Sequence, residues 1–78
     1  MLSAVQLFAG DLRNEDSLEY GLEISSGGST THTSIGSNTT QSGGASKGTT
    51  IKIKETGSTI SVDFDGDVVI KDGQLSKK

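Results

Sequence analysis

The chain has 78 residues, a net charge of −3 and no cysteine, so it forms at most one small domain and contains no disulfide. Its single histidine excludes a His-rich metal site, and the lack of Trp and of a basic patch gives little support to nucleic-acid binding. We expect one domain over residues 1–78 that needs no cofactor.

The first segment, residues 1–24, predicts two β elements. Residues 2–9 fit a strand that is apolar on both sides, which we favour, or a short helix that ends at Gly10. Residues 10–16 are polar and rich in turn formers, and they predict a linker. Beyond them, apolar and polar residues alternate, which predicts a strand with an acidic outer face. The apolar members of that strand are Leu18, Tyr20, Leu22 and Ile24.

The middle segment, residues 25–50, contains 20 Ser, Thr or Gly residues among its 26, and its only apolar residues are Ile35 and Ala45. Such a composition buries too little hydrocarbon to offset the entropy of ordering the chain, which predicts a flexible loop. The alternative is a β arm, folded as a hairpin with its tip near residues 36–38, that orders on a partner. His32 and Ile35 are then the candidate partner-binding residues.

The third segment, residues 51–73, has a period of two that predicts a three-stranded antiparallel meander. Its turns are expected at residues 56–57 and 64–66, which set Ile53 opposite Ile60 and Val62 opposite Val68. Six β-branched residues then share one face: Ile51, Ile53, Ile60, Val62, Val68 and Ile70. Residues 74–78 are predicted to be a frayed basic tail.

Together these elements predict an all-β fold of about five strands with one long flexible loop. We expect a small antiparallel sheet or open barrel, or alternatively a sandwich-like pair of sheets. A core this small buries too little apolar surface to make a single copy stable, and no disulfide adds to its stability. We therefore expect a homo-oligomer in which the six β-branched residues make the core contact. The alternative is a marginally stable monomer.

Three aspartates two residues apart, Asp63, Asp65 and Asp67, are spaced like the first ligands of a calcium loop. The spacing then fails, because Lys71 and Gln74 stand where further ligands belong. We favour a turn with solvated carboxylates and predict no metal. His32 has no acid or nucleophile beside it in sequence, so no catalytic residue is identified and an enzyme is not expected.

These observations favour a non-enzymatic, self-assembling structural protein, such as a phage virion or tail part or a surface-assembly component. The alternative is a small binding module or phage-encoded inhibitor that docks on a host protein or small ligand. It would use an acidic face formed by Asp11, Glu15, Asp16, Glu19 and Glu23. No secretory signal and no membrane-length apolar stretch is evident, so we expect cytoplasmic synthesis, a virion as the final location and no membrane partner.

Overall fold

The computed structural model describes residues 9–78, and these residues confirm the all-β prediction. The described part of the chain has eight strands rather than about five: β1 (Ala9–Asn14), β2 (Tyr20–Ser26), β3 (Ser29–Ile35), β4 (Thr40–Ser46), β5 (Thr49–Ile53), β6 (Thr59–Val62), β7 (Val68–Lys71) and β8 (Gln74–Lys77). Within residues 9–78 no helix is long and apolar enough to cross a bilayer. The strand and helix alternatives for residues 2–8 lie outside the described residues.

The strands form two four-stranded sheets, one in the order β4-β1-β7-β8 and the other in the order β3-β2-β5-β6. The pairs are antiparallel except β1 with β7, which is parallel. The inner faces of both sheets meet in one core, as in a β-sandwich. The core residues are Leu12, Tyr20, Leu22, Ile35, Ala45, Ile51, Ile53, Val62, Val68 and Ile70.

The predicted linker over residues 10–16 is wrong, because β1 occupies most of it as a central strand of its sheet. Leu12 is its one large apolar residue, and it is fully buried between the sheets. A Cβ at Gly10 would overlap the carbonyl oxygen of Gly66, so glycine permits the close approach of that loop. A single apolar residue among polar ones is too weak a pattern to reveal a buried strand.

The predicted flexible loop over residues 25–50 is also wrong, because β3 and β4 occupy most of it. The alternative hairpin is wrong as well, since β3 pairs with β2 whereas β4 pairs with β1 in the other sheet. The turn between β2 and β3 is Gly27-Gly28, with φ values of 56° and 90° that suit glycine. Ile35 and Ala45, the two apolar residues of the segment, are both buried and anchor the two strands.

The predicted three-stranded meander is wrong beyond its first pair. β5 and β6 pair as expected, but β7 lies in the opposite sheet, beside β1 and β8. The register of β5 with β6 also differs, because Ile51 rather than Ile53 stands opposite Ile60. The connection is longer than two residues, and the Gly57 N–H donates to the Ile53 carbonyl at 2.8 Å. A shift by two residues keeps each side chain on its predicted face.

The predicted tail over residues 74–78 is wrong, because β8 pairs with β7 across the turn Asp72-Gly73. These two residues have φ values of 54° and 72°, as a two-residue hairpin turn requires. The residues predicted to be a frayed tail are therefore the second strand of the last hairpin.

Candidate functional site

The six β-branched residues predicted to form the core contact do line the core of the single chain. Five of them are at most 1% exposed, and Ile60 is half-buried. Side chains so deeply buried within one chain are unavailable to a second copy. The five buried residues are therefore not available for a contact between copies, and only Ile60 is partly accessible.

The two residues predicted to bind a partner, His32 and Ile35, have different environments. Ile35 is 3% exposed at the end of β3 and belongs to the core. His32 is exposed in the middle of β3, opposite Glu23 of β2. Of the two, only His32 is accessible to another molecule.

The three aspartates considered as a calcium site do not converge. Asp67 accepts a hydrogen bond from the Asp11 N–H at 2.9 Å, whereas Asp65 pairs with Lys47 at 3.7 Å. Among residues 9–78, no three His, Cys, Asp or Glu side chains come close enough together to hold a metal ion. The three carboxylates lie in the connection between β6 and β7, and two of them contact residues outside it.

A groove of about 270 Å³ lies between the two sheets, beside the edge strands β3 and β4. Its lining residues are Ile24, Thr31, Thr33, Gln41, Ser42, Gly43, Gly44, Ser46 and Thr49. The half-buried Ile24 supplies the one large apolar side chain, and the rest of the lining is hydroxyl, amide or glycine. No lining residue carries an acid or base, so the groove offers nothing for proton transfer.

The β3 edge borders this groove. The pairing of β2 with its two neighbours shows which N–H and C=O groups of β3 face away from the sheet. The Lys54 N–H donates to the Gly21 carbonyl at 2.9 Å, so the odd-numbered residues of β2 bond to β5. The even-numbered residues of β2 therefore bond to β3, and their partners include Thr31 and Thr33. The N–H and C=O groups of the alternate residues, Thr30, His32 and Ser34, consequently face away from β2 toward the free edge.

The four edge strands differ in how readily they could accept another strand. Natural sheets protect their edges with short strands, charges, prolines or bulges. β6 and β8 have only four residues each, and β8 includes Lys77. β4 is bulged, because one residue of β1 faces three residues of β4 between the pairs Gly10–Ala45 and Leu12–Gln41.

β3 has none of these protections. It has seven residues in an uninterrupted register with β2, and it contains no Lys, Arg, Asp, Glu or Pro. The β3 edge is thus the most open backbone surface among the described strands. The Gly-Gly pair was the sequence signal for this hairpin turn, but the Ser/Thr/Gly-rich composition around it favoured a flexible loop.

A second cluster, at the opposite end of the sandwich from the Gly27-Gly28 turn, is built on Asp16. Its carboxylate accepts hydrogen bonds from the Tyr20 hydroxyl at 2.7 Å and from the Asp72 and Gly73 N–H groups at 2.8 Å each. The Tyr20 bond, together with the two backbone donors, holds the pKa of Asp16 below its ordinary value of 3.8. The same hydrogen bond, with burial, raises the pKa of Tyr20.

Fully buried Asn14 extends this cluster. Its side-chain amide donates to the carbonyls of Leu18 at 2.7 Å and Gly36 at 3.0 Å, and its Oδ1 accepts the Asp16 N–H at 2.9 Å. These bonds tie the β1–β2 loop to the end of β3. The sequence signal for this turn is Asn14, because an Asn side chain can accept a hydrogen bond from the backbone N–H two residues further on.

The predicted acidic face does not form one free surface. Asp11 and Asp16 are engaged in internal hydrogen bonds, and Glu15 lies 3.4 Å from Arg13. Glu23 stands on the outer face of the second sheet, between Lys52 and His32. An acidic docking surface therefore keeps fewer carboxylates than the sequence suggests.

Comparison of the chain with protein-family models, with curated proteins and with solved structures found no significant match.

Proposed function

We propose that this chain is a non-enzymatic structural subunit that assembles by strand addition at the β3 edge, with other copies of itself as its partners. The observation that carries the proposal is the edge of β3, with seven residues that include no Lys, Arg, Asp or Glu and with no bulge. Strand addition obtains its affinity from main-chain hydrogen bonds, which such an edge offers in a regular row.

The distribution of charge supports the same proposal. Each copy has a net charge of −3, so two copies repel one another weakly at long range. The β3 strand has no carboxylate or ammonium group, so an approach along it requires no such group of β3 to lose its hydration. The neutral groove beside β3 offers no acid–base pair, which is consistent with a structural rather than a catalytic role. Composition is the ground for proposing a phage virion, a tail or a surface layer as its setting.

The test is a proline placed on the outward-facing side of an edge strand. His32→Pro removes an N–H that faces the free edge while leaving the bonds between β2 and β3 intact. Ser61→Pro is the matched control, since the Ile53 N–H bonds to Ser58 and Ser61 therefore also faces outward, on β6. Sedimentation velocity over a range of concentrations measures assembly, and circular dichroism checks the fold.

We expect the unmodified chain and Ser61→Pro to associate and His32→Pro to remain monomeric. If His32→Pro does not fold, Thr30→Lys takes its place with Ser61→Lys as control, because an edge lysine blocks strand addition without touching the ladder. A chain that stays monomeric at every concentration refutes the proposed assembly. Equal association of the β3 variant and its control refutes the choice of edge.

A further inference from the structure

We infer that two copies join through β3 in an antiparallel arrangement, with a twofold axis that passes between their His32 residues. This inference rests on the proposed function and adds the orientation and the register of the contact. It predicts a continuous eight-stranded sheet in which the order β6-β5-β2-β3 of one copy continues into β3-β2-β5-β6 of the other.

The strand itself determines the register. β3 runs from Ser29 to Ile35, so His32 is its middle residue. A twofold axis at His32 pairs all seven residues of one copy with all seven of the other, and any other register leaves residues unpaired. The outward-facing residues then stand opposite each other, His32 against His32 and Thr30 against Ser34. These are the positions whose N–H and C=O groups are free to bond.

The side chains near this axis are compatible with the register. On the outer face, the two His32 side chains would lie beside each other, each flanked by the Glu23 of its own copy, with Lys52 one strand further away. Neither Thr30 nor Ser34 brings a charge to its opposite residue. On the inner face, the mouth of the groove in one copy would turn toward that of the other, which gives the half-buried Ile24 further cover.

The alternative contacts are less well supported. A contact through β4 would meet its bulge, and contacts through β6 or β8 would pair only four residues of each copy. A parallel β3 pair would offset the bonding residues of the two copies by one position, so the copies could not be related by an exact twofold axis. The antiparallel β3 pair gives every outward-facing N–H and C=O group of β3 a partner in one closed contact.

The test is disulfide trapping with single cysteines, since the chain has no native cysteine. In the proposed register, the Cα atoms of the two residues at position 32 lie about 5.5 Å apart, within disulfide range. The two residues at position 30 lie about 14 Å apart, at roughly 3.4 Å for each residue of offset. His32→Cys should therefore crosslink to itself, whereas Thr30→Cys should crosslink only when mixed with Ser34→Cys. Ser61→Cys on β6 is the control and should not crosslink.

Sedimentation of the unmodified chain accompanies the trapping and separates the two proposals. A dimer that traps through position 32, and through 30 with 34, supports the register. A dimer in which Thr30→Cys traps with itself, or in which His32→Cys does not trap, overturns the register and leaves self-association in place. A larger open assembly overturns the closed dimer alone. A strictly monomeric chain overturns both the register and the proposed function.

Discussion

The two ends of the β2–β3 hairpin are held in different ways. At one end the pair Tyr20–Ile35 is buried, with exposures of 6% and 3%, and lies beside the hydrogen-bond cluster of Asn14 and Asp16. At the other end, a Cβ added to Gly27 or Gly28 would meet nothing within 4 Å. The main-chain hydrogen bonds between β2 and β3 thus begin in the core at one end and finish in solvent at the other. A Ser/Thr-rich strand is ordered here by anchoring at one end rather than by its own composition.

The largest effect should come from shortening an apolar side chain at each end of this hairpin. Ile35→Ala leaves a cavity in the core and should lower the free energy of unfolding by about 2–5 kcal/mol. Ile24→Ala removes a side chain that is only half-buried above the groove, and should cost about 1 kcal/mol. Urea denaturation measures both values. Equal losses would contradict the difference between the two ends.

The polar anchor should be almost as sensitive. Asn14→Ala leaves two carbonyls and one N–H without their partner and should cost about 3 kcal/mol, at roughly 1 kcal/mol for each group. Ser26→Ala, at the exposed end, is the control and should change stability by less than about 0.5 kcal/mol. Thermal and urea unfolding of both variants provide the comparison. A loss at Asn14 no larger than at Ser26 would show that the cluster does not anchor the hairpin.

Acid and alkali should loosen the anchored end through two groups. Asp16 has a folded pKa below its ordinary 3.8, so its contribution is complete above that value and is lost as the pH falls through the folded pKa. Tyr20 has a folded pKa above its ordinary 10.0, so its contribution is complete below that value and is lost as the pH rises through the folded pKa. The stability that this pair contributes should be level between about pH 5 and 9.

Tyr20→Phe separates this pair from the other ionisable groups. The difference in unfolding free energy between the unmodified chain and Tyr20→Phe should shrink in acid and in alkali. Tyr20 is the only tyrosine, so tyrosinate absorbance follows its ionisation directly. If the pKa of Tyr20 in the folded protein is at or below its ordinary value of 10.0, the hydrogen bond to Asp16 is contradicted.

The smallest effect concerns single amides of β3. In dilute solution the N–H groups of Thr31 and Thr33, which face β2, should exchange with solvent more slowly than those of Thr30, His32 and Ser34. Protection should also rise from Thr31 toward Thr33, nearer the anchored end. Hydrogen exchange followed by NMR checks both expectations. At higher concentration, the proposed assembly should protect the outward-facing amides first.

The strands that sequence reasoning located correctly have an alternating apolar pattern. β2 was predicted because Tyr20, Leu22 and Ile24 alternate with polar residues, although Leu18, the first residue of the pattern, is 62% exposed. The inner faces of β5, β6 and β7 were found in the same way. Their side chains lie on the predicted face even where the predicted register or sheet was wrong. The period of two determines the face of each side chain, but it does not determine the register or the partner strand.

The strands that it missed contain one or two apolar residues each. β1 has Leu12, β3 has Ile35, β4 has Ala45, and β8 has Leu75. In these strands the main chain is held by neighbouring strands, and a long-range ladder leaves no local pattern to read. The Asp16 cluster was missed for the same reason, since Asp16 and Gly73 are 57 residues apart in the chain.

The sequence alone determined that the protein is all-β, that it has no disulfide, and which side chains of its apolar strands face inward, because alternation and composition are local properties. Only the tertiary structure decided that β7 crosses to the opposite sheet, that the Ser/Thr-rich segment is β-structured, and that β3 is an edge strand among residues 9–78. Those outcomes depend on which main-chain groups find partners across long stretches of chain, and that competition is settled only when the two sheets pack together.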